Sequence, residues 1–252
     1  MTITYHEEGA SYIVTCSYEE RLLPKAAGFR WNPKAKRWWT PDAAVACKLL
    51  DYADPSCHRI LSAARAEREE ALAMSRATDA DVEIPRPEGL EYLPFQKAGV
   101  LFCLKTLGKR GVLIGDEPGL GKTIQTLGII NATPEIERAL IIVPASLRLN
   151  WKREAERWFV RPTEVGIATG QHWPETPIVV VNYDVLHAHE EALRAVQWDL
   201  MCIDEAHFLK NPKTRRACHV LGGIVGGKKK GEEQREIEPI PCKRLLMLTG
   251  TP

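Results

Sequence analysis

From residue 88 onward the chain repeatedly gathers apolar residues into short unbroken runs, at 112–114, 139–143, 178–181, 200–203 and 245–248. A run with no polar alternation is expected of a strand covered on both faces. Helix-like stretches separate the runs. In one of them Ser146 stands as a cap, and Leu147, Trp151, Ala155 and Trp158 then fall on one helical face. Strand–helix alternation of this kind predicts an α/β domain with a mainly parallel sheet and right-handed crossovers. The first 57 residues read differently. Short β-like stretches (12–16, 30–31 and 37–40) accompany one helix starting near Tyr18 and another after Asp42, which is placed as its N-cap. That is a small α+β module. Residues 59–77 are rich in Ala, Glu and Arg with a thin apolar stripe, which predicts a solvated connecting helix. Prolines 85, 87 and 94 mark a linker after it. The expected organisation is a module over 1–57, a connector over 58–87 and the α/β domain over 88–252. The polar stretch 226–238, GGKKKGEEQREIE, is expected as an exposed loop.

Composition narrows the class. The 252 residues are 44% hydrophobic and 27% charged, enough apolar material for a core. No apolar run reaches the roughly 20 residues of a membrane span, so no membrane partner is expected. The opening MTITYHEEGA has no basic region followed by an apolar stretch, so a secretory signal is not expected. The seven cysteines include no CxxC pair, which argues against a zinc site or disulfide framework and suits a reducing cytosol. The net charge of +1 decides nothing about nucleic acid, since a local patch acts inside a neutral whole.

The chemistry sits at two strand ends. The run at 112–114 enters GDEPGLGKT, residues 115–123, and then a helix-like TIQTLGII. Strand, glycine-rich turn, Lys-Thr and helix is the arrangement that grips a nucleoside triphosphate. Gly119 and Gly121 let backbone N–H groups face phosphates, and the helix start adds its positive end. Lys122 is placed to neutralise β/γ oxygens, and Thr123 offers a hydroxyl to Mg²⁺. Asp116 occupies the position where the general motif has glycine. About 80 residues later, the run at 200–203 ends in Asp204-Glu205-Ala206-His207. Carboxylates at the carboxyl end of a buried strand lie where open α/β sheets put their ligands. Asp204 is the expected Mg²⁺ holder, and Glu205 the group that orients and deprotonates an attacking water.

In their order, these motifs resemble the Swi/Snf-like ATPases of helicase superfamily two, over residues 88–252. LPFQKAGV resembles that family's first motif, which implies that Gln96 lies near an adenine. GDEPGLGKT resembles its phosphate loop, which accounts for Asp116 and adds Glu117 and Leu120 to the expected ATP-binding set. VPASLRLNWKREAERW resembles motif Ia, VVNYDVL motif Ib, IDEAHFLKNPKTRRA motif II, and LLMLTGTP motif III. The resemblance implies a RecA-like lobe that binds ATP and Mg²⁺. It gives His207, Thr249, Gly250 and Thr251 the role of coupling nucleotide state to DNA grip. The look is closest to bacterial or phage-like members and to the annealing-helicase branch, which places the protein in a bacterial or phage-infected cytoplasm or, if eukaryotic, in a nucleus. These 252 residues stop directly after motif III. The family's second RecA-like lobe, with its arginine fingers, is expected to be missing, supplied in cis or in trans. Such a finger is worth about 10³–10⁵ in rate, so the chain alone is expected to hydrolyse ATP slowly.

The expected partner is duplex or forked DNA, held without regard to sequence. Residues 21–40 hold six basic residues and no acidic one, with Phe29, Trp31, Trp38 and Trp39 interleaved. Arg30, Trp31, Lys36, Arg37 and Trp38 are the candidates there. Cations suit phosphates and exposed aromatic faces stack on unpaired bases; equally, the tryptophans pack a small core. GFRWNPKAKRWWT resembles the HARP module of annealing helicases. In the α/β domain the resemblance places Ser146, Arg148 and Lys152 from motif Ia, and Asn182 and Tyr183 from motif Ib, along the DNA track. Lys210, Lys213, Arg215 and Arg216 either extend that track or coat a helix. The resulting expectation is the first motor lobe of a DNA-dependent translocase that remodels or anneals DNA. The alternative is a truncated, non-hydrolysing DNA-binding or regulatory protein.

Overall fold

The computed structural model describes residues 1–108, 111–226 and 234–251. Lys228, Lys229 and Lys230 of the expected polar loop lie outside them. The chain divides into two compact units, Met1–Arg76 and Ala77–Pro252.

In the first unit, β1 (Thr2–His6), β2 (Ser11–Thr15), α1 (Leu22–Ala27), β3 (Arg30–Asn32), β4 (Arg37–Thr40), α2 (Ala43–Ala46) and α3 (Pro55–Ser75) follow one another. The four strands form an antiparallel sheet in the order β1-β2-β4-β3. Ile3, Tyr12, Val14, Ala27, Phe29, Ala46 and Leu61 build its core. Asp42 caps α2 as the sequence predicts, accepting from Ala44 N at 2.8 Å. The connecting helix is not solvated throughout. Asp54 caps it by accepting from Cys57 N at 2.7 Å, Pro55 opens its first turn, and Cys57 and Leu61 are fully buried in the small core. The thin stripe is therefore confined to the first two turns, and the last turns are exposed.

In the second unit come α4 (Pro94–Thr106), β5 (Val112–Ile114), α5 (Lys122–Ala132), β6 (Ala139–Val143), α6 (Arg148–Trp158), β7 (Val165–Ile167), β8 (Ile178–Asn182) and α7 (Glu190–Arg194). After them follow β9 (Leu200–Ile203), α8 (Arg215–Leu221), β10 (Gly223–Val225), β11 (Arg235–Ile237) and β12 (Leu245–Leu248). Six strands make one parallel sheet in the order β5-β12-β9-β6-β8-β7. Two covered faces explain the continuous runs of β6, β8 and β9, in which every residue is buried; β5 departs from the expectation, since it is an edge strand and its Leu113 is 45% exposed. Along β6, Ala139, Ile141 and Val143 enter the core beneath α4, α5 and α6, while Leu140 and Ile142 enter the opposite core with Trp198, Leu209 and Val220.

Three expectations need correction here. The proline-rich stretch lacks regular structure, yet it is docked on the second unit: Ile84 and Tyr92 are buried in its core, and the Pro85 carbonyl accepts from Asn131 Nδ2. Residues 235–237, expected in a loop, form β11 and pair antiparallel with β10. Ser146 does not cap α6; Leu147 precedes that helix and no side chain bonds its first turn.

The start of β9 is pinned by Asp199. Its buried carboxylate accepts from Glu137 N and Arg138 N at 3.0 and 2.9 Å and from Lys243 Nζ at 2.7 Å. Burial alone raises the pKa of this carboxyl, but the Lys243 ammonium and the two backbone N–H groups outweigh it and hold it below the ordinary 3.8. A depressed carboxyl stabilises the fold above its unfolded pKa, and that stability is lost as pH falls through the folded value. Asp199→Asn is expected to lose about 1–3 kcal/mol at neutral pH. Urea denaturation followed from pH 7 down to pH 3 should show a smaller acid-induced drop in the variant than in the native chain.

Candidate nucleotide site

Three neighbouring strands deliver the site. β12 lies between β5 and β9, so the turn after β5 and the acidic pair after β9 stand about 10 Å apart at the same sheet edge, with 249–251 between them. The turn bends where glycine permits: Gly119 and Gly121 have φ of 88° and 80°, in the left-handed region. Gly121 has a second reason to be glycine, since a Cβ there would fall on the Gln96 amide nitrogen. Gln96 is buried. Its Nε2 donates to the Leu120 carbonyl at 3.2 Å and its Oε1 accepts from Leu93 N at 3.0 Å. The glutamine expected beside an adenine therefore also braces the glycine turn. Lys122 Nζ reaches back to the Asp116 and Glu117 carbonyls at 2.7 and 3.1 Å. Asp116 accepts from Gln125 Nε2 at 2.7 Å, which ties the turn to its own helix. Thr123 is half-buried in the first turn of α5.

Asp204 is 6% exposed. Its Oδ2 accepts from Trp151 Nε1 at 2.8 Å, and its Oδ1 from Glu205 N at 2.9 Å. Burial raises its pKa above 3.8; the Trp151 and Glu205 N–H groups oppose that, the Glu205 carboxylate adds to it, and Lys122 is close enough to lower it. Glu205 adopts φ 51°, a left-handed backbone costly for a side chain other than glycine. The turn it makes sends its carboxylate to His207, 3.2 Å from Nδ1, and the same Nδ1 lies 3.3 Å from Thr249 Oγ1. Thr249 is buried; its N–H donates to the Ile114 carbonyl and its hydroxyl accepts from Thr251 N. Gly250 packs against the glycine turn itself, where a Cβ would come within 2.8 Å of Pro118 Cγ. Each expected coupling residue thus touches one of the two strand-end motifs or a neighbour that does.

Mg²⁺ suits these residues. It takes hard oxygen donors and is commonly held by one or two carboxylates, with phosphates and waters filling the remainder. The Thr123 hydroxyl and the Asp204 carboxylate are donors of that kind. Among the described residues no cluster of three or more His, Cys, Asp or Glu forms an all-protein cage.

In the sequence Trp151 marks only an apolar helix face. It is fully buried, yet its indole N–H holds the acidic pair in place; the sole sequence signal is a tryptophan in a segment that resembles motif Ia. The motif Ib pair departs from its expected role. Asn182 and Tyr183 are both buried, and the Tyr183 hydroxyl donates to the Asp204 carbonyl at 2.6 Å. Tyr183 braces the acidic strand end and is not presented to a nucleic acid. Ser146, Arg148 and Lys152 stand around the start of α6, exposed or half-buried, with Arg148 Nε on the Ala145 carbonyl and Lys152 Nζ 3.8 Å from Glu156. Arg216 pairs with Asp184 at 2.7 Å, while Lys210, Lys213 and Arg215 are exposed.

A SNF2-related domain matches residues 95–222, just over half of the chain and wholly within the second unit. The chain belongs to the SNF2-related family. Over 170 residues it is 32% identical to the human DNA annealing helicase and endonuclease ZRANB3, covering 64% of this chain and 14% of that protein. It is 32% identical over 168 residues to the Xenopus tropicalis SWI/SNF-related matrix-associated actin-dependent regulator of chromatin subfamily A-like protein 1, covering 65% and 16%. In fold it matches the Sulfolobus solfataricus SWI2/SNF2 ATPase core in complex with dsDNA, with a TM-score of 0.54 and 24% identity over 68% of this chain and 35% of that one. The chain thus spans about a seventh of the curated relatives' length and a third of that core. The parallel sheet of this SNF2-related chain thus has the RecA-like fold of that core.

Removing the indole N–H leaves a buried carboxylate oxygen without its donor. Trp151→Phe is expected to destabilise the chain by about 1–3 kcal/mol, measured by chemical denaturation at pH 7. A loss within about 0.3 kcal/mol would mean that the N–H adds nothing. Gly250→Ala is expected to cost about 1–3 kcal/mol through its collision with Pro118, and the Gly170→Ala control, whose Cβ meets nothing within 4 Å and whose backbone is not left-handed, separates the collision from the ordinary backbone effect of replacing glycine.

Proposed function

We propose that this chain is the first motor lobe of a DNA-dependent ATPase that couples Mg-ATP hydrolysis to movement on DNA and to its remodelling or annealing. The observation that carries the reading is the adjacency of three strand ends: Lys122 after β5, the Asp204–Glu205 pair after β9, and Thr249 to Thr251 after β12. In this reading the N–H groups around Gly119 and Gly121 and the Lys122 ammonium bind the phosphates, and Lys122 exchanges its two loop carbonyls for β/γ oxygens. Thr123 and Asp204 would hold Mg²⁺, which supplies charge neutralisation on the phosphates when bound. Glu205 orients the attacking water and takes its proton. His207 and Thr249 carry the state of that carboxylate to motif III, and Gly250 against Pro118 carries the state of the phosphate turn.

The names of the relatives support a DNA substrate, one being an annealing helicase and the solved core being bound to dsDNA. Within that frame the first unit serves as a HARP-like DNA-recognition module, the branch is that of the annealing helicases of bacterial or phage-like type, and the place of action is wherever the cell keeps its DNA. Arg148 and Lys152 from α6 face the phosphate track. A second lobe, in cis or in trans, completes the nucleotide cleft, so these 252 residues by themselves turn over slowly.

ATP turnover measured on the complete gene product with single-stranded, duplex and forked DNA tests the reading. Stimulation by DNA is expected, with Lys122→Ala and Glu205→Gln each lowering turnover by at least about 100-fold. Unchanged turnover in both variants would remove the site assignment. DNA affinity should fall steeply with added salt.

A further inference from the structure

The first unit carries a cavity of about 620 Å³, lined by Val14, Leu22, Trp31, Trp38, Tyr18 and four cations, Arg21, Lys25, Lys36 and Arg37. Its position follows from the sheet. Val14 pairs with Trp38 across β2 and β4, and Trp38 with Trp31 across β4 and β3. Side chains opposite each other in a ladder share a face, so the three form one row. The row begins in the core, where Val14 is buried, and ends on the edge strand, where Trp31 is 48% exposed with its ring 5.4 Å from that of Trp38. Residues of α1 and the turn before it form the facing wall. There Tyr18 is 78% exposed and the Arg21 guanidinium lies 3.5 Å from its ring centroid.

Two properties select the ligand. Among the residues that line the cavity none is acidic, and no ion pair joins any of its four cations to a described carboxylate. Glu19 and Glu20 lie next to this wall in sequence; Glu20 is engaged by the N-terminal ammonium and by Ser17, and Glu19 is exposed and does not line the cavity. An anion is therefore matched and a cation repelled. Lys34, exposed in the same β3–β4 turn as Lys36, adds a further cation beside that lining residue, which suits an extended polyanion better than a small one. The open Tyr18 and Trp31 rings ask in addition for a planar apolar face, which an acidic peptide does not offer and a duplex keeps stacked inside.

We infer that this cavity takes unpaired bases of single-stranded DNA, stacked against Trp31 and the Tyr18–Arg21 pair, with the flanking phosphates on Lys25, Lys36 and Arg37. The inference deepens the proposed DNA function by giving the first unit a preference for unpaired strand, and it assigns Tyr18, Arg21 and Lys25 to that site.

Fluorescence anisotropy on the full 252-residue chain tests it, using a fluorescein-labelled 12-nucleotide oligothymidylate, an abasic deoxyribose-phosphate oligomer of equal length and a 12-base-pair duplex. Oligothymidylate is expected to bind more tightly than either of the others. Trp31→Ala and Tyr18→Ala, both at exposed positions, should each weaken it by about 5- to 100-fold and leave the abasic oligomer unaffected. Lys25→Ala should flatten the log–log salt dependence by about 0.7. Far-ultraviolet circular dichroism checks that each variant folds. Equal binding of the abasic oligomer, displacement by polyglutamate as readily as by oligothymidylate, or indifference to both aromatic substitutions would overturn the inference. If DNA still stimulates ATP turnover of the complete gene product in that event, the motor reading stands without it; if the chain binds no DNA and stimulation is absent, both fall.

Discussion

A carboxylate held inside a protein costs several kcal/mol unless every part of it is matched, and Asp204 is the group around which the second unit is organised. One oxygen is matched by the Trp151 indole from α6, the other by the N–H of the next residue, and its own carbonyl by the Tyr183 hydroxyl from the turn after β8. Burial still raises its pKa, so the match is incomplete in the direction that favours a further positive partner. Lys122 is near enough to act on it, and Mg²⁺ would complete the balance. Two bonds hold the side chain and a third, from Tyr183, holds the backbone of a residue that an apolar core alone has no reason to keep.

The glycine turn is held by a comparable set of contacts, all from its own side of the sheet. Gln96 supports it from α4, Gln125 from α5, and Lys122 closes it by bonding the carbonyls of Asp116 and Glu117. A lysine bound to neutral carbonyls is available to anionic phosphate, because hydrogen bonds between charged partners are the stronger kind. The two halves of the site meet through β12. Thr249 bonds into the β5 side through the Ile114 carbonyl and reaches His207 on the β9 side through its hydroxyl. Gly250 lies against Pro118 with no room for a side chain. A change at either strand end has a packed route to the residues after β12.

Much of this was legible in the sequence because the sheet's burial leaves a one-dimensional signature. The runs at 139–143 and 200–203 are apolar at every position, which only a strand buried on both faces requires. The two site motifs sit directly at the ends of such runs. What escaped detection has equally physical reasons. β1 reads TITYH, in which threonine and tyrosine alternate with few strong apolar residues, and β7 is three residues long. Trp151 obeys the helical period of a core residue; that its nitrogen points at a carboxylate is a fact of three dimensions. Asn182 and Tyr183 end an apolar run just as Asp204 does, yet they turn inward. Ser146 resembles a cap only until the extra turn 145–147 moves the cap position one residue on, to Leu147, with the helix starting at Arg148.

The aromatics of the first unit divide along the same logic. Phe29 and Trp31 are two residues apart and equally apolar, but Phe29 precedes β3 and is folded into the core with Ala27 and Leu61, while Trp31 lies on the edge strand where the core runs out. A small unit has limited apolar volume to cover its sheet, and the row Val14–Trp38–Trp31 extends beyond what α2 and α3 bury. An exposed ring at the end of such a row is normally a liability for a sheet edge. Here the same edge carries Arg30, Lys36 and Arg37, which repel another copy of itself while attracting an anion. The charge that protects the edge is thus the charge that selects a partner for it, and the open tryptophan face sets the further condition that the partner bring unpaired planar groups.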